Sequence, residues 1–229
     1  EPINTPIGAA ECASYEQVKE NKKAYARSCR QQYDQQDEVY GKTVIQRHGK
    51  MMLVQNPPSF SLTTEELDRI YSLPYMRAYH PSYESVGGVP GIEEVKFSIT
   101  HNRGCFGYCN FCSIALHQGR RITCRSEESI LDEARRLTEM PDFKGYIHDV
   151  GGPTANFRKP SCEKQIKLGL CKGKKCLAPE PCPNLEADHS EYIDILRKLR
   201  KIKGVKKVFI RSGIRYDYLM EDESDEFIK

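Results

Sequence analysis

The chain has 229 residues, a formal net charge of +3 and ten cysteines. Its length suits one large domain or two small ones, and it can bury a core without disulfides. The mild charge argues neither for nor against a nucleic-acid partner, whereas the absence of any run near ~20 apolar residues excludes a helical membrane span.

The residues between Tyr15 and Tyr33 open the predicted elements. Tyr15, Val18, Tyr25, Cys29 and Tyr33 recur near every fourth position and predict a helix with its stripe in the core. TVIQRHGKMMLVQ predicts a hairpin about His48-Gly49, ended by Pro57-Pro58. Thr63-x-x-Glu66 is a capping box that opens a short helix through Tyr71, and Leu73-Pro74 stops it. Tyr79–Gly91 has loop chemistry and marks a boundary. Residues 1–91 then read as the end of an upstream N-terminal region plus linker, mostly helical with a hairpin. Residues 92–229 read as a separate core. The chain starts without methionine and stops after EDESDEFIK, which predicts a piece of a longer protein.

The rhythm changes beyond the boundary. Glu93–Thr100 predicts a strand, with Val95, Phe97 and Ile99 alternating. Ser126 caps a helix carrying Ile130, Leu131, Ala134 and Leu137. Lys144–Val150 predicts a second strand. Ser190 caps a second helix with Tyr192, Ile195, Leu196, Leu199 and Ile202 inward, ended by Gly204. Val205–Arg211 predicts a third strand. This alternation means a parallel α/β sheet or barrel. The basic run Leu196–Lys207 reads as a solvated helix face, with RNA contact as its alternative.

GCFGYCNFC, Gly104–Cys112, holds Cys105, Cys109 and Cys112 directly after the first strand. Three thiols do not make a disulfide framework, and they are one short of a closed zinc site. In α/β barrels, active sites form in the loops at the carboxyl ends of strands. A four-iron cluster usually takes four cysteines, so three would leave one iron open for a ligand. The competing readings are a zinc site completed by His101 or His117, and inert buried thiols. Ten cysteines without a secretion signal also point to a reducing compartment and a cytoplasmic protein.

Cys-x3-Cys-x2-Cys with Phe111 before the last cysteine resembles the signature loop of radical S-adenosylmethionine (SAM) enzymes. HNRGCFGYCNFCSIALHQGRRI and GYIHDVGGPTANF are similar to the YgiQ-like family of radical SAM proteins, over roughly Leu73 to Tyr218. The resemblance implies the first half of a radical SAM partial TIM barrel, with three of its usual βα units. It implies that Cys105, Cys109 and Cys112 bind three irons of a [4Fe-4S] cluster and that SAM chelates the fourth. Phe111 would lie near the adenine, and Gly151 and Gly152 near the SAM amino group. It also implies reductive cleavage of SAM to a 5′-deoxyadenosyl radical, an electron donor such as flavodoxin or ferredoxin, and a substrate that the residues do not reveal. One departure is Pro153-Thr154, where the wider superfamily has an acidic residue after the paired glycines. That leaves the amino contact to backbone atoms, with Thr154 and Asn156 as nearby polar side chains. Arg211, Ser212 and Arg215 end the third strand, within reach of a SAM carboxylate or a substrate, or serving local hydrogen bonds. His148 and Asp149, at the second strand's end, either face the substrate or pack.

A second set, Cys162, Cys171, Cys176 and Cys182, lies in a polar segment too long for a plain βα connection. These residues either bind zinc or a second iron–sulfur cluster, or remain free thiols. Cys12, Cys29 and Cys124 are isolated and read as structural. The rival from another class is a non-catalytic, cysteine-rich metal-binding module with a basic face for RNA.

Overall fold

The computed structural model describes residues 6–228. In chain order, β1 (Ala10–Glu11), α1 (Tyr15–Glu20) and α2 (Lys22–Asp34) come first. The single expected helix is therefore two. Asn21 takes an extended conformation, with φ −126° and ψ 105°, and its side chain accepts from the N–H groups of Lys23 and Ala24. Asparagine competes for backbone groups in this way and so starts helices better than it continues them. The stripe also differs from expectation. Tyr15 and Tyr25 are exposed, while Ala24 and Ser28 are the buried residues of α2.

β2 (Val44–His48) and β3 (Met51–Gln55) form the expected antiparallel hairpin, with His48 opposite Met51. Gly49 takes the left-handed conformation its turn requires, at φ 56°. β1 adds a parallel strand beside β2, which the sequence pattern does not announce. α3 (Thr64–Tyr71) carries the expected capping box, in which Thr63 accepts from the Glu66 N–H. A 3-10 turn at Pro81–Val86 and α4 (Ile92–Val95) lead into the core.

The core elements are β4 (Ser98–Thr100), β5 (Asn102–Arg103), α5 (Ile114–Gln118), β6 (Thr123–Cys124) and α6 (Glu127–Thr138). β7 (Tyr146–Ile147), β8 (Asp149–Gly151), α7 (Glu163–Leu168), α8 (Ser190–Leu199), β9 (Lys207–Val208) and α9 (Tyr216–Leu219) follow. β4 runs parallel to β8, and β7 parallel to β9. Backbone bonds join these ladders: the His148 N–H donates to the Phe97 carbonyl at 3.0 Å and the Val150 N–H to that of Phe209 at 3.0 Å. Residues 146–151 are thus the middle of three parallel strands. α6 and α8 cover them through Ile130, Ala134, Leu137, Tyr192, Ile195 and Leu199, which enclose Ile99, Ile147 and Val150.

The fold is mixed α/β with small sheets, and among the described residues no barrel closes. The first expected strand begins late, because Ile92–Val95 is a helical turn. The third is shortened to Lys207–Val208. Ser126 caps α6 as expected, accepting from the Ser129 N–H at 3.1 Å. Ser190 does not cap α8, because Asp188 Oδ1 accepts the Ser190 N–H at 2.9 Å and Ser190 is already helical. On the basic face of α8, Lys198 pairs with Glu127 and Asp194, and Arg197 with Glu226, as on a solvated surface. Among the described residues no helix is long and apolar enough to cross a membrane.

One edge of the parallel sheet is capped by side chains. Arg77 Nη1 donates to the Lys96 carbonyl at 2.8 Å, and Arg125 Nη1 to the Thr100 carbonyl at 3.0 Å. Both guanidiniums pair with buried Glu133 on α6. Arg77 therefore fastens the residues before β4 to the core. At the other edge, Lys207 and Phe209 are exposed, and no further parallel strand follows β9 among the described residues.

Candidate functional site

The cysteine loop leaves the carboxyl end of β4 and is pinched at its base by antiparallel β5 and β6. Gly104 has φ 81° and presses on the Arg121 carbonyl, where a Cβ would overlap it. This tight closure is the physical reason for glycine before the first cysteine. Phe106 is fully buried, stacked on Phe157 with centroids 3.9 Å apart and edge-on to Tyr218. It anchors the loop while the residues after it turn outward, with Tyr108 at φ 48°.

Cys105 is buried, with Sγ 3.4 Å from the Thr154 hydroxyl. Cys109 and Cys112 are half-buried, and Cys109 Sγ accepts a hydrogen bond from Arg215 Nη1 at 2.8 Å. Phe111 is 91% exposed. The loop thus carries all three thiols, although among the described residues no three Cys, His, Asp or Glu side chains meet as a metal-holding group. His101 is buried and its Nε2 lies 2.8 Å from the Ala155 carbonyl. His117 is exposed on α5, so neither histidine joins the thiols.

Gly151 and Gly152 have a packing reason of their own. A Cβ on Gly151 would overlap the Ser212 hydroxyl, and one on Gly152 would overlap Asn102 Oδ1. Asn102 Nδ2 donates to the carbonyls of Thr154 at 3.1 Å and Phe157 at 2.7 Å, while its Oδ1 is buried without a partner. Asp149 does not face outward as a free acid. It accepts from the backbone N–H groups of Arg211 at 2.8 Å and Ser212 at 3.1 Å, and so shapes the loop after β9. His148 sets its ring edge-on to Phe97, and Arg211 pairs with Glu94.

Sequence reasoning missed the chain of contacts that places Arg215. Its backbone N–H donates to Asn156 Oδ1 at 2.8 Å, and Asn156 Nδ2 lies 3.0 Å from His189 Nε2. His189 is fully buried, with Nδ1 2.8 Å from Asp222. The carboxylate accepts a hydrogen bond from Nδ1–H, which leaves Nε2 to accept from Asn156 Nδ2. Asp217 clasps the guanidinium from the other side, at 2.7 Å from Nε. Asn156, His189, Arg215 and Asp222 lie outside the helices and strands and Asp217 on α9, and no spacing in the sequence signals the set.

Burial, reinforced by Arg158, pushes the His101 imidazole down to about 3. In the unfolded chain it titrates near its ordinary value, so the unfolded state binds the extra proton first as pH falls. The expected result is a loss of stability between pH about 6.5 and about 3, at up to about 1.4 kcal/mol per pH unit. Urea unfolding at several pH values checks this. His101→Gln should remove about one proton's worth of slope, and an unchanged slope would contradict the assignment.

Cys162, Cys171, Cys176 and Cys182 all line one cavity of about 680 Å³. α7 occupies part of this segment, which the sequence reading leaves without structure. Burial pushes the Cys176 thiol up, with Cys162 and Cys182 adding to the rise and Ser161 opposing it. The segment leans on the first loop: Leu177 joins the cluster of Phe106 and Phe157, and Lys175 Nζ donates to Asn110 Oδ1 at 2.5 Å. Cys124 behaves as a structural thiol, pushed up to about 12 by burial and donating to the Arg158 carbonyl. Cys12 is likewise buried and raised.

Residues 4–98 match the family described as Radical SAM N-terminal. A UPF0313 protein of Clostridium botulinum (strain Okra / Type B1) is 58% identical over 219 residues, covering 96% of this chain and 34% of the relative. A UPF0313 protein of Clostridium perfringens (strain ATCC 13124) is 56% identical over 216 residues, covering 94% of this chain and 33% of the relative. The chain therefore spans about a third of the length of the curated relatives it matches. Identity at this level along nearly all of the chain, with the matching N-terminal family, means that the chain belongs to the UPF0313, YgiQ-like family of radical SAM proteins.

Proposed function

We propose that this chain carries the cluster- and SAM-holding part of a radical SAM enzyme, built on the first three βα units of a partial barrel. The observation that carries this reading is the loop of three thiols at the carboxyl end of β4, with the Arg215 guanidinium against Cys109. The donor set fits a cluster held by three thiolates. Cys105, Cys109 and Cys112 would supply them, and the Arg215 guanidinium against Cys109 offsets part of their charge. The unpartnered Asn102 Oδ1 beside Gly152 is a buried acceptor suited to an ammonium, which supports placing the SAM amino group there. Phe111 is exposed and free to stack on an adenine. When bound, the cluster and SAM supply a 5′-deoxyadenosyl radical for hydrogen abstraction, the electron coming from a donor such as flavodoxin or ferredoxin. Thr154 keeps Cys105 in place, and Asn156 holds the Arg215 backbone.

The rival RNA-binding module draws on the basic helix face, and that face spends Arg197 and Lys198 on acidic neighbours. Its support is weaker than that of the cysteine loop.

The test is formation of 5′-deoxyadenosine from SAM and a chemical reductant by the full-length protein after anaerobic reconstitution. Release of the nucleoside is expected, and its absence from a cluster-loaded preparation contradicts the proposal. Residues 1–229 alone should release it much more slowly. The sheet is open at β9, and an open edge admits water where a radical site needs water excluded. Equal rates from the short and full-length forms would show that further strands are dispensable.

A further inference from the structure

We propose that Cys162, Cys171, Cys176 and Cys182 form a second, four-thiolate metal site, distinct from the Cys105 loop, that ties down the segment between α7 and α8. All four residues line the same cavity, although they are spread over 21 residues of sequence, and none forms a disulfide. Chance does not readily bring four cysteines to one wall while three others, Cys12, Cys29 and Cys124, lie apart from it.

The segment's own packing gives the site a purpose. From Gly169 to His189 it has no helix or strand, and Leu177 is its one buried apolar anchor. A loop of this length is uncommon in a compact domain unless something staples it. A metal bound by four loop residues supplies that staple, because its binding free energy adds directly to folding. The thiols line the cavity wall without meeting at a point, and a segment free of regular structure can draw them together around an ion.

Charge supports the same assignment. Four thiolates around a divalent ion, or around a cubic iron–sulfur cluster, leave a net charge of about −2. Arg120, Lys174 and Lys175 line the same cavity and offset it. The ligand class is therefore a thiophilic metal, held either as a single zinc ion or as an iron–sulfur cluster. The assignment uses none of the residues proposed to hold the SAM-binding cluster, so the two readings stand or fall separately.

The experiment is zinc, iron and acid-labile sulfide analysis of the full-length protein, purified anaerobically. It compares wild type, the quadruple variant Cys162→Ser/Cys171→Ser/Cys176→Ser/Cys182→Ser, and the triple variant Cys105→Ala/Cys109→Ala/Cys112→Ala. The quadruple variant should lose one zinc per chain, or one cluster's worth of iron and sulfide, that the triple variant retains. Zinc identifies the first source and iron with sulfide the second. Equal metal content in wild type and the quadruple variant overturns the proposal, as does loss of all metal in the triple variant. Should the quadruple variant fail to fold, cobalt(II) titration of the metal-stripped triple variant replaces it. An intense sulfur-to-cobalt charge-transfer band saturating at one equivalent supports the site. No band, with four freely titrating thiols at these positions, overturns it.

Discussion

Glu133→Gln should lower unfolding stability by about 3–5 kcal/mol, the usual cost of removing one partner from a buried ion pair. Glu133 is buried on α6 and takes both Arg77 and Arg125. The Arg125 side chain is only 1% exposed, so it cannot turn to water when its partner is neutralised. It is also fixed by the Ser129 hydroxyl and carbonyl, by the Thr100 carbonyl and by the Tyr71 ring beneath it. Glutamine keeps the shape but leaves a guanidinium charge in a dry site, where the desolvation penalty is no longer offset. Two distant stretches depend on this carboxylate. Arg77 brings in the residues before β4, and Arg125 seals the edge of the parallel sheet. Urea denaturation against Glu139→Gln, an exposed change at the C-cap of the same helix, isolates the effect. A difference below about 1 kcal/mol would assign the pair a surface-like value and remove it from the fold's main supports.

Cys105→Ala, Cys109→Ala and Cys112→Ala should each strip most of the iron bound by the first loop after anaerobic reconstitution. Three thiolates hold such a cluster with no spare donor, so losing one leaves an iron without a protein ligand. The loop offers no substitute, because among the described residues neither His101 nor His117 joins the thiols. Cys105 should be the most damaging position, since it is buried against Thr154 and adjoins the Phe106 anchor. Iron must be counted in a background with Cys162, Cys171, Cys176 and Cys182 changed to serine, so that a second site does not mask the loss. Full iron content in all three variants would remove the cluster from this loop. Retention in the Cys112 variant alone would confine the ligand set to the two thiols that contact Thr154 and Arg215.

The local features were written in neighbouring residues. The capping signals at Thr63 and Ser126, the hairpin turn at Gly49 and the spacing of Cys105, Cys109 and Cys112 each involve groups within a few positions. Their physics is short-range: a side chain caps a helix three residues away, and a glycine permits one turn. Even the break at Asn21 follows from one residue's preference for capping, although the tyrosine spacing around it suggested an unbroken helix.

What only the tertiary structure decided is who meets whom across the chain. Glu133 gathers arginines from before β4 and from the end of β6, and Asp222, His189 and Asn156 together position Arg215 on Cys109. Gly152 is glycine because Asn102 fills the space a side chain would need. The four later cysteines share a cavity only once α7 and its loop have folded back. Most of these partners, such as Arg77 and Glu133 or Asn102 and Gly152, lie tens of residues apart with no period to betray them, and they become neighbours because burial of the apolar faces of α6 and α8 on the parallel strands brings their loops together.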